Sequence, residues 1–482
     1  MRSLSVAHHS LGRILGSLLL LLGVQCSKTD SNPSAGKPVS SAPLGSTSGA
    51  VTRGAASSES LGQPGSPEGS ARPPTDSAPS NPPPGTGEPL NVILLTIDSL
   101  RADMPWTGYS RPIAPFLTQL AERSAVYTRA YSASSYTAKS VATFLSGRYP
   151  STLYRDGFFF AKYSNANKFM AEILSERGVR TIGFHGHLYF GRGKGLEQGF
   201  AEWHLVPGIT FDAQTDKHVT SEKMTELGIQ LLKNPANTAG QFFAWAHYMD
   251  PHDEYNKHAE SPDFGRKGRD RYDSEVWYTD HWVSKLIAYA EQQPWWKRTV
   301  LIVSADHGEA FGEHDMYKHA FELWEVLTHV PLLVTGPGVR ARRIDERRSH
   351  IDLAPTILDL MGVPVPPDMQ GESLVPELRG ATPTSREPIL TELTEDSHNP
   401  PRRALIDGDY KLIDFGRSKF QLFDLKADPG ELSDLSKQKP EELARMRKLL
   451  EERYKKLPTV EPYGGAKLKE GGTARGPIGP SP

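Results

Sequence analysis

Two runs of β-branched and aliphatic residues without polar alternation, at 91–97 and 299–305, read as strands buried on both faces of a parallel sheet. Each run stops on a carboxylate, Asp98 and Asp306, and the second continues into His307, Gly308 and Glu309. Apolar runs at 179–184, 241–247 and 330–334 predict further buried strands, and residues 115–127 predict a helix with Phe116, Leu117 and Leu120 on one face. The alternation predicts an α/β fold, a mixed and largely parallel sheet flanked by helices. In open sheets of this kind ligands bind beyond the carboxyl ends of the strands, where Asp98, Asp306 and His307 can converge on a metal ion. Taken singly, either Asp reads equally well as the cap of the helix after its strand.

After Gly336-Pro-Gly338 the texture changes. Residues 404–413 read as a hairpin, 420–424 as a third strand and 440–454 as a charged amphipathic helix, which predicts a small C-terminal α+β subdomain at 401–460 beside a main domain at 89–400. Residues 27–88 are dominated by Ser, Pro, Gly, Ala and Thr and predict a disordered tether whose root-mean-square reach is roughly 45 Å. A tail at 461–482 has a similar texture. Residues 1–26 predict a signal peptide: Arg2 and Arg13 precede an apolar run too short to span a bilayer, and Cys26 follows.

Composition then removes several options. Lys and Arg total 55 against 57 Asp and Glu, a net charge of −2, which leaves no basic field for nucleic acid. The single cysteine, Cys26, excludes an internal disulfide and a cysteine zinc site. Its place after the apolar run resembles a lipoprotein signal, although Gln25 stands where Gly, Ala or Ser is usual. The expectation is export to the cell envelope with a lipid anchor at a membrane.

The segments Asp98-Ser-Leu-Arg-Ala-Asp103, Ser132 through Thr137 and Ser140 to Gly147-Arg-Tyr-Pro150, and Ser304-Ala-Asp-His-Gly-Glu309 resemble successive signatures of the sulfatase family, within the alkaline phosphatase superfamily. His247-Tyr-Met-Asp-Pro-His252, His319 ahead of Leu323-Trp-Glu-Val, and His350-Ile-Asp-Leu-Ala-Pro-Thr follow in the same order. Tyr410-Lys-Leu-Ile and Leu422-Phe-Asp resemble the family's C-terminal subdomain.

This resemblance implies Asp98, Asp306, His307 and Thr137 as metal ligands, and His252 and His319 as contacts of the transferred group or leaving oxygen, with Lys318 sharing that role. Ser99 replaces an aspartate common in the family, so zinc or manganese suits the remaining set better than calcium. His247 is expected in a core or supporting position, Asp250 and Asp253 as turn formers, His314 as a loop residue, and Asp103 as a brace for Arg101.

The departure lies at Thr137, where sulfatases carry the Cys or Ser that is oxidised to formylglycine. Lys139 replaces the motif's proline and Val141 its arginine. Threonine cannot give the aldehyde, so a covalent Thr137 ester would need release by a second nucleophile. That route resembles lipoteichoic-acid synthases and phosphoethanolamine transferases, whose nucleophile is a metal-bound threonine. A helix-like run at 140–145 also makes Thr137 a plausible N-cap. The expected function is metal-dependent hydrolysis of a sulfate or phosphate ester. The rivals are a phosphoethanolamine- or phosphoglycerol-type transferase and a non-catalytic binding protein that retains the fold.

Overall fold

The computed structural model describes residues 89–210, 218–252 and 254–464. The main sheet has nine strands: β1 (Asn91–Ile97), β2 (Ala125–Tyr131), β3 (Arg180–His185), β4 (Glu202–Leu205), β5 (Phe242–Tyr248), β6 (Thr299–Ala305), β9 (His329–Thr335), β10 (Arg342–Ile344) and β11 (Arg348–Ser349); the short β7 (Ala310–Phe311) and β8 (Tyr317–Lys318) form a separate hairpin. The spatial order is β10-β2-β9-β6-β1-β5-β3-β4, with β11 also paired to β2. Five adjacent strands, β6 to β4 in that order, run parallel, and β9 is antiparallel to both β6 and β2. Every residue of β1, β5 and β6 is buried, as their unbroken apolar patterns predict.

One sequence expectation needs correction. The helix expected over 115–127 ends at Glu122, and Ala125 opens β2. The Ser124 hydroxyl donates to the Leu120 carbonyl and closes the helix, while Val126 and Tyr127 pair with Leu333 and Leu332 of β9. The β-branched and aromatic residues there gain more from the sheet than from another helical turn.

In the C-terminal part, β12 (Ile389–Leu393), β13 (Arg402–Asp407), β14 (Tyr410–Asp414) and β15 (Phe420–Asp424) form an antiparallel sheet in sequence order. Gly408, with φ of 60°, makes the turn between β13 and β14. The helix Pro440–Lys456 buries Met446 and Leu450 against this sheet in a core shared with Leu405, Leu412 and Leu422.

Candidate active site

Sheet register brings the candidate ligands together. Ile97 of β1 pairs with Ala305 of β6, so Asp98 and Asp306 are the next residues on adjacent strands. His247, near the end of β5, pairs with Thr96 on one side and His185 on the other. All four of Asp98, His247, Asp306 and His307 are completely buried. The turn after β6 is close-packed: a Cβ on Gly308 would lie 2.1 Å from the Val326 carbonyl oxygen, so only glycine fits.

Hydrogen bonding sets the polarity of the cluster. The Gly308 carbonyl, which can only accept, takes the His307 Nδ1–H at 2.9 Å. A neutral His307 therefore presents its Nε2 lone pair, and the Thr137 hydroxyl lies 3.0 Å from that atom. Asp306 Oδ1 accepts from the backbone N–H groups of Ser99 and His307, but Asp306 Oδ2 is buried without a hydrogen-bond partner. His307 Nε2 lies 3.3 Å from Asp306 Oδ2 and 3.7 Å from Asp98 Oδ1. Carboxylate oxygens and an imidazole lone pair thus face one another beside the Thr137 hydroxyl, and no donor reaches Asp306 Oδ2. A divalent cation relieves that arrangement, and an orphaned buried carboxylate oxygen is otherwise costly. The residues fit a metal.

Burial works against the charge of both aspartates. At Asp98 it is outweighed by the neighbouring imidazoles of His252, His247 and His307, which hold the carboxyl well below the usual range. At Asp306 burial, reinforced by the Asp98 charge, pushes the carboxyl up.

Asp98, His247 and Asp306 each offer a ligand atom within 4.8 Å of the others, which adds His247 to the candidate set. Its Nε2 lies 3.3 Å from Asp98 Oδ2, and its Nδ1 lies 2.8 Å from the Thr96 hydroxyl. The sequence concealed this because His247 lies within an apolar run, with Tyr248 and Met249 following it. Ser99, where an aspartate is common, takes a left-handed φ of 57° and donates its hydroxyl to Asp98 Oδ1 at 3.1 Å.

Thr137 opens the helix Thr137–Ser146, which ends at Gly147 with φ of 67°. The N-cap expectation for Thr137 is corrected: Tyr136 occupies that position, and Thr137 is the first helical residue with its hydroxyl turned to His307. Lys139, two residues on, is buried and points away, donating to Asp396 and to the Thr394 carbonyl. Ser140 donates to the Asp306 carbonyl at 2.6 Å, tying the helix to the β6 turn.

His319 is buried, and its Nδ1 lies 3.1 and 3.2 Å from the two Glu309 carboxylate oxygens. That contact orients the ring; in the sequence Glu309 stands only as the end of the Asp306 motif. The His319 ring centroid lies 4.2 Å from that of His307 and 4.9 Å from that of His252, so both expected histidines gather beside the cluster. Lys318 sits next to His319 in β8, half-buried with φ of 67°. His187, which the sequence reading did not single out, is buried 6.1 Å from His252, and burial holds its pKa well below normal.

The supporting residues mostly follow expectation. Asp103 braces Arg101, which also reaches the Glu309 carbonyl. Asp250 accepts from Thr220 and Ser221 and so holds the start of the helix Ser221–Lys233 rather than a metal. His314 stacks on Trp324 at 3.8 Å. Asp253 lies outside the described residues.

The sulfatase family model matches residues 90–363, more than half of the chain, and the family model for the C-terminal region of N-sulphoglucosamine sulphohydrolase matches 312–459. Similar curated proteins include a choline-sulfatase of Rhizobium meliloti, 32% identical over 36% of this chain and 33% of its own length, and arylsulfatase K of Mus musculus, 33% identical over 34% and 31%. The chain thus spans about a third of the length of the curated relatives it matches. Among solved structures, a 2-O GAG sulfatase superposes with a TM-score of 0.65 at 20% identity, covering 78% of this chain and 99% of the other. The phosphonate monoester hydrolase of Agrobacterium radiobacter gives 0.62 at 18%, covering 76% and 96%; at these identities the likeness establishes the fold. With that fold and the match across the main domain, the chain belongs to the sulfatase family.

Proposed function

We propose that the protein is a metal-dependent hydrolase of sulfate or phosphate monoesters with Thr137 as its nucleophile. The observation that carries this reading is the Thr137 hydroxyl at 3.0 Å from His307 Nε2, beside the partnerless Asp306 Oδ2. Asp98, Asp306, His307 and Thr137 would hold the cation, with His247 beside them. Their oxygen and imidazole donors suit zinc or manganese better than calcium. Bound there, the cation would lower the pKa of the alcohol and offset charge developing on the transferred group.

The chain's own groups do the rest. The Thr137 hydroxyl gives its proton to solvent, and its oxygen attacks sulfur or phosphorus and forms a Thr137 ester as the bond to the leaving oxygen breaks. His319, held by Glu309, or His252 gives that oxygen a proton. Water then attacks the ester, its proton passes to the same imidazole, and Thr137 is regenerated with release of sulfate or phosphate. The partial positive charge of the helix N-terminus at Thr137 favours the anion throughout.

Thr137→Ala should lower kcat on an aryl ester by roughly three orders of magnitude or more. Equal rates for the variant and the native protein on both aryl sulfate and aryl phosphate, at unchanged metal content, would remove Thr137 from this role. Export and a lipid anchor at Cys26 belong to the same reading, supported by Arg2, Arg13 and the apolar run ahead of Cys26; among the described residues no helix is long and apolar enough to cross a membrane. Recovery of Met1 at the N-terminus of protein from cytoplasm would contradict it.

A further inference from the structure

A cavity of about 280 Å³ opens where the segment after His252 meets the start of the helix Gly268–Glu291, lined by Tyr255, Asn256, Lys257, Gly265, Arg266 and Arg271. Its wall carries two guanidinium groups, an ammonium, an amide and a phenol, and no carboxylate. Asp263 holds Lys257 at 2.8 Å, but the Arg266 and Arg271 side chains have no hydrogen-bond or ion-pair partner among the described residues. The neighbouring arginines differ: Arg101, Arg111 and Arg269 each hold two carboxylates. Asp270, on the same helix turn as Arg271, is engaged by Arg111 and by the Lys267 N–H.

The position ties the cavity to the candidate active site. The Tyr255 ring lies 5.2 Å from that of Phe311 in β7, two residues after Glu309, whose carboxylate contacts His319. Tyr255 follows His252 by three residues, a chain span of at most about 11 Å. The cavity thus adjoins the two histidines proposed to serve the leaving oxygen. Its chemistry selects the ligand: a cation would be repelled, and a neutral molecule would forgo the charge-assisted bonds that guanidinium groups make to oxyanions. Donors contributed by two separate segments, 255–257 and 266–271, suit a tetrahedral oxyanion better than a planar carboxylate.

We infer that this cavity binds a second sulfate or phosphate group of the substrate, carried on the leaving-group side of the ester under attack. The inference rests on the proposed hydrolase and narrows its substrate class to esters of molecules that bear several such groups. Arg266 and Arg271 are then specificity residues that grip the second anion and leave the reacting atoms to the metal cluster.

Titration calorimetry of the full-length, metal-loaded Thr137→Ala protein, which binds without turnover, tests this with two heparin disaccharides that differ only in carrying three sulfates or one. At about 50 mM salt the trisulfated form should bind roughly tenfold more tightly, the worth of one charge-assisted hydrogen bond. Arg266→Gln/Arg271→Gln in the same background should remove that gap. With Thr137 intact, the two arginine substitutions should leave kcat and KM for a nitrophenyl ester unchanged, because that substrate carries a single anionic group. Equal affinities in the starting protein, a gap that survives the arginine substitutions, or a fall in nitrophenyl ester turnover would each overturn the inference. A native protein that turns over no nitrophenyl ester would instead overturn the proposed hydrolase, while the sulfate-dependent gap and its loss would still establish the cavity as an anion site.

Discussion

The Lys139–Asp396 pair joins the nucleophile's helix to the loop that follows β12, and replacing Lys139 by Met tests what that link contributes. The two side chains are 1% and 2% exposed, with Nζ 2.5 Å from Asp396 Oδ2 and 2.9 Å from the Thr394 carbonyl. Burial, against the pull of Asp396, lowers the Lys139 pKa. Methionine keeps most of the volume but strands the carboxylate, and breaking a buried pair in this way costs about 3–5 kcal/mol. Asp396 retains the His398 and Asn399 backbone N–H groups at 2.8 Å and the Asn399 amide at 3.2 Å. Those partners place the loss near the lower end, at about 3 kcal/mol. Urea denaturation followed by tryptophan fluorescence should show this as a lower midpoint, and Lys139→Met/Asp396→Asn should recover part of it. Thr137 shares a helical turn with Lys139, so kcat should fall roughly 10- to 100-fold with a smaller change in KM. A loss below about 1 kcal/mol, the scale of a surface pair, would refute the reasoning.

Three other outcomes follow. His350 is buried with a pKa pushed down to about 3, so the folded state binds fewer protons than the unfolded one between that value and 6.5. Its contribution is present at neutral pH and is lost as pH falls from about 6.5 toward 3, by up to roughly 4–5 kcal/mol; His350→Gln should flatten that limb of the stability profile measured by denaturation, and an unchanged limb would contradict the assignment. Asp98→Ala/Asp306→Ala should purify with little bound metal by atomic emission while far-ultraviolet circular dichroism stays native, whereas full metal content would move the site elsewhere. His319→Ala should slow esters with poor leaving groups far more than nitrophenyl esters if it protonates the leaving oxygen; equal losses on both would assign it to binding.

The fold was legible because β1, β5 and β6 are buried on both faces and write that burial as unbroken apolar runs. Asp98, Asp306 and His307 were legible for the same reason, since each ends such a run. The rest depended on pairings that no local pattern encodes. His247 lies inside an apolar run and joins the cluster only through the β1–β5 register. Lys139 stands out in the sequence only as the residue in place of the motif's proline, and its buried pairing depends on Asp396, far along the chain. The missing capping role of Thr137 shows the same limit, because local helix-start chemistry fits threonine as well as the hydroxyl's bond to His307 does. At 115–127 a continuous apolar face hid the change of period at Ser124.

The central claim is that Thr137 carries the transferred group as an unmodified threonine. Peptide mass spectrometry tests it most directly, on protein produced with and without a formylglycine-generating enzyme and quenched during turnover of a slow aryl ester. The account predicts an intact Thr137 in both preparations, equal activity, and a mass gain of one sulfuryl or phosphoryl group confined to the Thr137 peptide and lost on completion. A label on another residue, or turnover with no covalent label while Thr137→Ala remains fully active, would contradict it.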